Sequence, residues 1–239
     1  MNPKPSLDLV VILMVPIKTH TANKSNYGGS RSTSTIKYLV IHYTGNDGDS
    51  DQNNGKYFAN NVVKASAHYF VDSDSITQSV PDNYVAYSVG GNKYANTKGA
   101  KFYGQCTNAN SISIELCDDV KDGVIYPSAK TIQNAIELTQ MLMQKYNIPA
   151  DRVIRHYDVT GKICPAYWVD DAKWKAEFWN KLTDSTHIVQ MLQDTPVADL
   201  NTLCKKNVKY TITDEKTVGG VKYGKLKSGA GWIDLTHTK

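Results

Sequence analysis

The sequence predicts an α/β domain followed by a small all-β unit. Between Lys37 and Leu182, short β-branched and aromatic runs alternate with helix-spaced segments, the pattern of an α/β sandwich. From His187 onward only short strand-like pieces remain, separated by polar and Gly-containing turns, as in a small barrel. A chain of 239 residues has room for one full-sized domain and a small second one, because single domains usually run to about 100–200 residues. The expected division is an N-terminal arm over 1–35, a larger domain over 36–183 and a small domain over 187–239, with the boundary in the polar stretch Thr183 to Thr186.

The elements follow in chain order. Pro16 to Thr35 is rich in Ser, Thr, Asn and Gly and reads as an extended arm without its own core. K-Y-L-V-I-H-Y, Lys37 to Tyr43, is a buried strand stopped by Thr44-Gly45-Asn46, with His42 near its C-terminal end. Asp51 to Val63 is expected to be helical, with Tyr57, Phe58 and Val62 sharing a face. Ala67 to Val71, the turn Asp72 to Ser75, and Ile76 to Val80 form a hairpin. In S-I-S-I-E-L, Ser111 to Leu116, alternation puts Glu115 on the face opposite Ile112, Ile114 and Leu116. Ser128 to Tyr146 is the clearest long helix, with Ser128 as N-cap and Ile132, Ile136, Leu138, Thr139, Leu142 and Met143 near helical spacing. A short strand at Arg152 to Arg155 leads into R-H-Y-D-V-T-G-K-I-C-P, read as a loop, and Asp171 to Leu182 as a further helix.

The net charge of +4 comes without Lys/Arg clusters, which argues against a nucleic-acid partner. Four scattered cysteines, Cys106, Cys117, Cys164 and Cys204, do not outline a disulfide framework. The apolar run Leu7 to Ile17 is shorter than the roughly 20 residues that span a bilayer and carries Asp8. No small-residue cleavage site follows it, and Met14 is a possible alternative start. The expectation is synthesis in the cytoplasm with no stable membrane insertion.

Two imidazoles and a thiolate, His42, His156 and Cys164, are the ligand types of a catalytic zinc site, in which three protein ligands leave a fourth position open. Each also has an ordinary reading: a hydrogen-bonded histidine at a strand end, a surface histidine after a strand, a small buried thiol. Lys162 by itself is a solvated loop lysine. Glu115 is harder to set aside, because an unpaired carboxylate in an apolar strand is costly.

Taken together and in order, L-V-I-H-Y-T, S-A-H-Y-F-V-D, S-I-S-I-E-L and R-H-Y-D-V-T-G-K-I-C-P resemble the zinc-dependent N-acetylmuramoyl-L-alanine amidases of the type-2 amidase family. That family includes many phage and prophage endolysins and shares its fold with the peptidoglycan recognition proteins. The resemblance covers about Tyr38 to Trp179. It implies a mixed central sheet flanked by helices, a zinc ion held by His42, His156 and Cys164, and peptidoglycan as substrate. Many relatives have Asp at the position of Cys164. It also implies that Glu115 moves the proton of the attacking water and that Lys162 meets the oxyanion. His68, in the segment where some relatives carry a tyrosine, is a candidate substrate contact. The activity implied is hydrolysis of the amide joining N-acetylmuramic acid to L-alanine, lysing or remodelling the bacterial cell wall after release or export.

Two other functions fit parts of the pattern. One is a non-catalytic peptidoglycan-binding module of the same fold; the other is a cell-wall cysteine peptidase with Cys164 as nucleophile. At the C-terminus, Val221 to Leu235 resembles the last strands of bacterial SH3-like wall-binding domains, with Tyr223 in place of the usual Trp. D-L-N-T-L-C-K-K-N stands where those domains carry N-I-R-x-G-P-G.

Overall fold

The computed structural model describes residues 15–95, 97–183, 187–190, 195–198, 203–218, 220–228 and 231–238. The apolar run near the N-terminus lies, up to Met14, outside them. The chain divides into two compact units at Leu182/Thr183.

The larger unit is built on a six-stranded sheet. Its strands are β1 (Ile17–Thr19), β3 (Tyr38–Tyr43), β4 (Tyr69–Val71), β5 (Ile76–Gln78), β7 (Ser111–Leu116) and β8 (Val153–Arg155), in the order β1-β5-β4-β7-β3-β8. Four neighbouring pairs are parallel; β4 and β5, joined by a tight turn, are antiparallel, as the expected hairpin requires. The sheet is therefore mixed. A separate ribbon pairs β2 (Tyr27–Ser30) with β6 (Tyr84–Ala86).

Strand alternation divides the side chains between the two faces. Leu39, Ile41, Ile112, Ile114, Leu116 and Val153 pack with Ala135, Ile136 and Leu142 of α2 (Ala129–Tyr146) into the main core. The opposite face carries Val40 and Ile154, packed with Val89, Cys106 and Val159 in a second cluster, and continues to His42 and Glu115. Helix α2 starts where its cap chemistry dictates: the Ser128 hydroxyl accepts from the Thr131 N–H. It ends at Asn147, which adopts the left-handed conformation.

Four sequence expectations change. The polar stretch before Lys37 is not a free arm: β1 extends the central sheet by pairing with β5, and Asn26 is fully buried, bonding to the backbone of Phe58, Asn61, Val63 and Lys64. Helix α1 (Asp51–Asn60) ends before Val62, and both Val62 and Tyr57 are exposed. Its fully buried residues are Asp51 and Gly55; a Cβ at Gly55 would come 2.6 Å from Thr77 Cγ2 and 2.9 Å from His20 Cβ, so close approach seats this side, while Phe58 stacks on Phe70 at 5.4 Å between ring centroids. The segment read as one loop after Arg155 begins with a helical turn, α3 (His156–Thr160), closed by Gly161 at φ +81°. The helix expected over Asp171 to Leu182 is α4 (Asp171–Glu177) followed by a 3-10 turn at Trp179–Leu182.

The smaller unit is a six-stranded sheet of β9 (His187–Gln190), β10 (Thr195–Ala198), β11 (Leu203–Cys204), β12 (Lys209–Val218), β13 (Val221–Leu226) and β14 (Trp232–Asp234). Its order is β11-β10-β14-β13-β12-β9, antiparallel throughout. Cys204, Ile212, Leu226, Ile233 and Leu235 form its core. Gly224 is needed there, since a Cβ would stand 2.9 Å from Ile212 Cγ2. Trp232 lies outside that core, half-buried, with the Lys216 ammonium 4.1 Å above its ring.

Candidate metal centre and active site

Parallel register places the first two groups. β3 and β7 pair with His42 opposite Glu115, so both side chains leave the same face at the C-terminal end of the sheet, where α/β folds bind ligands. His42 Nδ1 lies 3.8 Å from Glu115 Oε1. On the other side of β3, β8 pairs Ile41 with Arg155, so the next residue, His156, projects towards His42. Their ring centroids are 4.6 Å apart. Gly161 then turns the chain back, the Tyr157 N–H donates to the Cys164 carbonyl (2.8 Å), and Cys164 Sγ comes to 3.7 Å from His42 Nδ1. The peptide bond from Cys164 to Pro165 is cis.

The donor atoms of His42, His156 and Cys164 all lie within 4.8 Å of one another, and the three residues are buried. Zinc–nitrogen and zinc–sulfur bonds of about 2.0–2.3 Å at a tetrahedral angle separate two ligand atoms by roughly 3.6 Å, which the His42–Cys164 distance matches. His42 Nε2, His156 Nδ1 and Glu115 Oε2 are buried without hydrogen-bond partners. Buried polar atoms are rarely orphaned, and His156 Nδ1 is such an atom within the His42–His156–Cys164 group, as a cation-binding site presents. The residues fit a zinc ion.

Burial dominates the electrostatics. It holds His42 well below its ordinary value, helped by His156 and Lys162, and brings His156 to about 4, with Lys162 adding to the effect. Both imidazoles are neutral at pH 7, the form that binds metals. Burial raises the Cys164 thiol to about 12, with Glu115 adding to this while the Tyr43 backbone N–H and Lys162 oppose it. Glu115 is pushed up to about 8, again by burial, against the pull of Lys162. Lys162 is exposed on the turn before Cys164, and its charge is felt by all four groups.

The sequence profile of the N-acetylmuramoyl-L-alanine amidases matches residues 32–167. The chain belongs to this amidase family. It is 38% identical over 155 residues to the N-acetylmuramoyl-L-alanine amidase CwlL of Bacillus licheniformis, covering 62% of this chain and 41% of that one. It is 35% identical over 153 residues to the amidase BlyA of Bacillus subtilis, covering 62% and 41%. The chain thus spans about two-fifths of the length of these curated relatives. Among solved structures, a mutant endolysin from Bacillus subtilis superposes with a TM-score of 0.56 at 26% identity, over 71% of this chain and 99% of that one. The structure of PlyL gives 0.55 at 26% identity, over 70% and 96%.

Within this amidase fold, His68 is not brought to the open side of the site. It is 1% exposed, its Nδ1 lies 3.1 Å from the Ser113 hydroxyl and its Nε2 2.9 Å from Arg31 Nη2 and 3.2 Å from the Tyr84 carbonyl. Burial and Arg31 bring it to about 3. It ties β4 to β7 and to the ribbon, and the expected substrate contact is replaced by a structural one.

Arg155 was missed from the sequence. Its buried guanidinium makes a two-pronged contact with Asp158 (Nε to Oδ2, 2.9 Å; Nη2 to Oδ1, 2.7 Å) and donates to Asp171 (2.6 Å) and to the Trp168 carbonyl (2.6 Å). It fastens α3 to the start of α4, so the segment carrying His156 and Cys164 is held at both ends. The motif contains Arg and Asp three apart, the spacing of an intrahelical pair, which is the signal that could have found it.

Proposed function

We propose that this amidase-family chain hydrolyses the amide bond between N-acetylmuramic acid and the L-alanine of the peptidoglycan stem peptide, as a zinc enzyme of endolysin type. The observation that carries the reading is the convergence of His42, His156 and Cys164 on one point with Glu115 beside them, inside the segment that matches the family.

His42, His156 and Cys164 would hold the zinc ion, which when bound supplies Lewis acidity, polarising a carbonyl and acidifying water. Glu115 is the proton carrier. Its Oε1 faces His42 and its value near 8 lies close to the working range, so it can accept a proton from the attacking water and return it to the departing amine. Lys162 presents an ammonium at the rim, where the carbonyl oxygen acquires negative charge. The buried histidines stay neutral and do not compete for that proton.

The 3.7 Å contact between Cys164 and His42 would also suit a thiol–imidazole pair. A nucleophilic cysteine needs a depressed pKa, and here burial raises it to about 12. Mass spectrometry of digested peptidoglycan, together with elemental analysis, tests the reading. The expected result is new L-alanine amino termini on intact stem peptides, abolished by chelator and restored by zinc. Activity that survives chelation but not thiol alkylation would overturn it in favour of the peptidase.

The smaller unit, over 187–239, is proposed as a wall-binding domain of SH3-like kind. Its support is the motif around Trp232 and the exposed cation over that ring. Binding of the isolated amidase unit and of the full chain to purified walls, compared in a pelleting assay, tests it; equal retention would remove the assignment.

A further inference from the structure

We propose that Tyr94 is a substrate contact: its ring receives the sugar of N-acetylmuramic acid, so that the glycan lies on the β8 side of the site and the stem peptide on the β7 side. This rests on the amidase reading above.

Tyr94 stands beside the segment that carries His156 and Cys164. Its N–H donates to the carbonyl of Thr160, the last residue of α3 (2.7 Å). A Cβ added to Gly161, the next residue, would come 3.5 Å from Tyr94 Cβ and 2.3 Å from Thr97 Oγ1, so the loop between β6 and β7 rests directly on the turn that leads to Cys164. Two more N–H groups of this loop, those of Ala100 and Phe102, donate to the carbonyls of Tyr157 and Asp158 (2.9 and 2.8 Å). The backbone of Tyr94 is thus fixed, yet its side chain is 51% exposed. On the adjoining turn Lys162 is exposed and Ile163 is 52% exposed. A fixed aromatic, a cation and an apolar side chain meet at one turn of the rim, the mixture that lines ligand sites. The C–H face of a hexose is apolar and carries slightly positive hydrogens, which suit the negative face of an aromatic ring.

Strand order says which half of the substrate lies there. Across β7-β3-β8, Glu115 is on one side of His42 and the segment from His156 to Cys164 is on the other. Glu115 returns its proton to the departing amine, so the peptide leaves on the β7 side. The acyl half, which carries the sugar, points towards β8 and Tyr94. Charge agrees with this direction. Hydrolysis adds water across the amide and leaves a carboxylate on the sugar fragment and an ammonium on the peptide. From Asn83 to Ile114 the chain has no Asp or Glu, while Lys93 and Lys98, on either side of Tyr94 in the chain, are exposed. The loops after β3 and β7 instead carry Asp47, Asp49, Asp118, Asp119 and Asp122 against one lysine. Each product faces the opposite charge.

The test uses Tyr94→Ala and Tyr94→Phe in the full chain, loaded with zinc, with inhibition of wall hydrolysis measured separately for the two products, peptide-free glycan and released stem peptide. In Tyr94→Ala the glycan should inhibit about tenfold more weakly, the cost of truncating a well-placed tyrosine, and KM should rise, while inhibition by the peptide and zinc content match the parent. Tyr94→Phe, which keeps the ring, should keep the parent's inhibition by glycan. Undiminished inhibition by glycan in Tyr94→Ala overturns the proposal. So does weaker inhibition by the peptide alone or by both products alike, and so does loss of zinc, which would make the ring a structural support. A parent chain that releases no L-alanine amino termini defeats the amidase reading itself, a failure visible before any variant is compared.

Discussion

Cys164 Sγ stands 3.7 Å from His42 Nδ1 although 122 positions separate the two residues. Sheet register aligns one, and a helical turn closed by a left-handed glycine returns the other.

Replacing Cys164 with serine leaves a side chain of similar size but removes the soft ligand. Cys164→Ser is expected to fold, by circular dichroism, and to lose its zinc through desalting, whereas the parent retains about one ion per chain, as in a three-ligand site. One zinc per chain in the variant would contradict the ligand assignment.

Lys162 is exposed and makes no core contact, so its removal separates chemistry from folding. Lys162→Ala should lower turnover by about 10²–10³ if the ammonium meets the oxyanion, with zinc content and melting temperature unchanged. Full turnover removes it from the mechanism.

Glu115 makes the metal-free chain sensitive to alkali. Its carboxyl rises from an ordinary 4.5 to about 8 on folding, so across that window the folded chain holds a proton that the unfolded chain has released, and stability falls as pH rises. His156, lowered from 6.5 to about 4, acts in the opposite sense, its contribution growing from about pH 4 to 6.5. Asp51, raised to about 6, has finished titrating by pH 7. Between pH 7 and 8 the Glu115 effect therefore stands alone among these three. Thermal melts in chelator should show a falling midpoint there in the parent and a flat one in Glu115→Gln; equal slopes would refute the assignment.

Arg155 links α3 to α4 through Asp158, Asp171 and the Trp168 carbonyl. Arg155→Met removes the guanidinium from the largely buried Asp158 carboxylate and leaves it only the backbone N–H of residue 155. Breaking a buried pair in this way costs about 3–5 kcal/mol, read as a lower denaturant midpoint, and zinc should dissociate faster because the ligand segment is no longer pinned. An unaltered midpoint would show that the remaining contacts suffice.

The central strands were legible for one reason: strand alternation is a local signal. Ile112, Ile114 and Leu116 in the core and Glu115 on the other face follow from S-I-S-I-E-L alone. Ser128 likewise announces α2. What stayed hidden depends on partners distant in sequence. The parallel pairing of β1 with β5 leaves no mark in a polar segment, and the close approach of α1 at Gly55 carries no apolar signal. Helix α3 was read as loop because its five residues lack an apolar stripe; it is held by Asp158 accepting from the Arg155 N–H (2.8 Å) and by the N–H groups of Tyr94, Ala100 and Phe102 donating to its carbonyls. In the site itself, His42, His156, Cys164, Glu115 and Lys162 stood out as chemistry-bearing types in ordered motifs.

The pairing of His42 with Glu115 across β3 and β7 is made by main-chain hydrogen bonds in the middle of the sheet. The proposed ligand and the proposed proton carrier are therefore spaced by the backbone ladder before any ion arrives. An apo chain would be a finished receptor rather than a partly folded one, and loading it would be a matter of diffusion and ion supply, not of refolding.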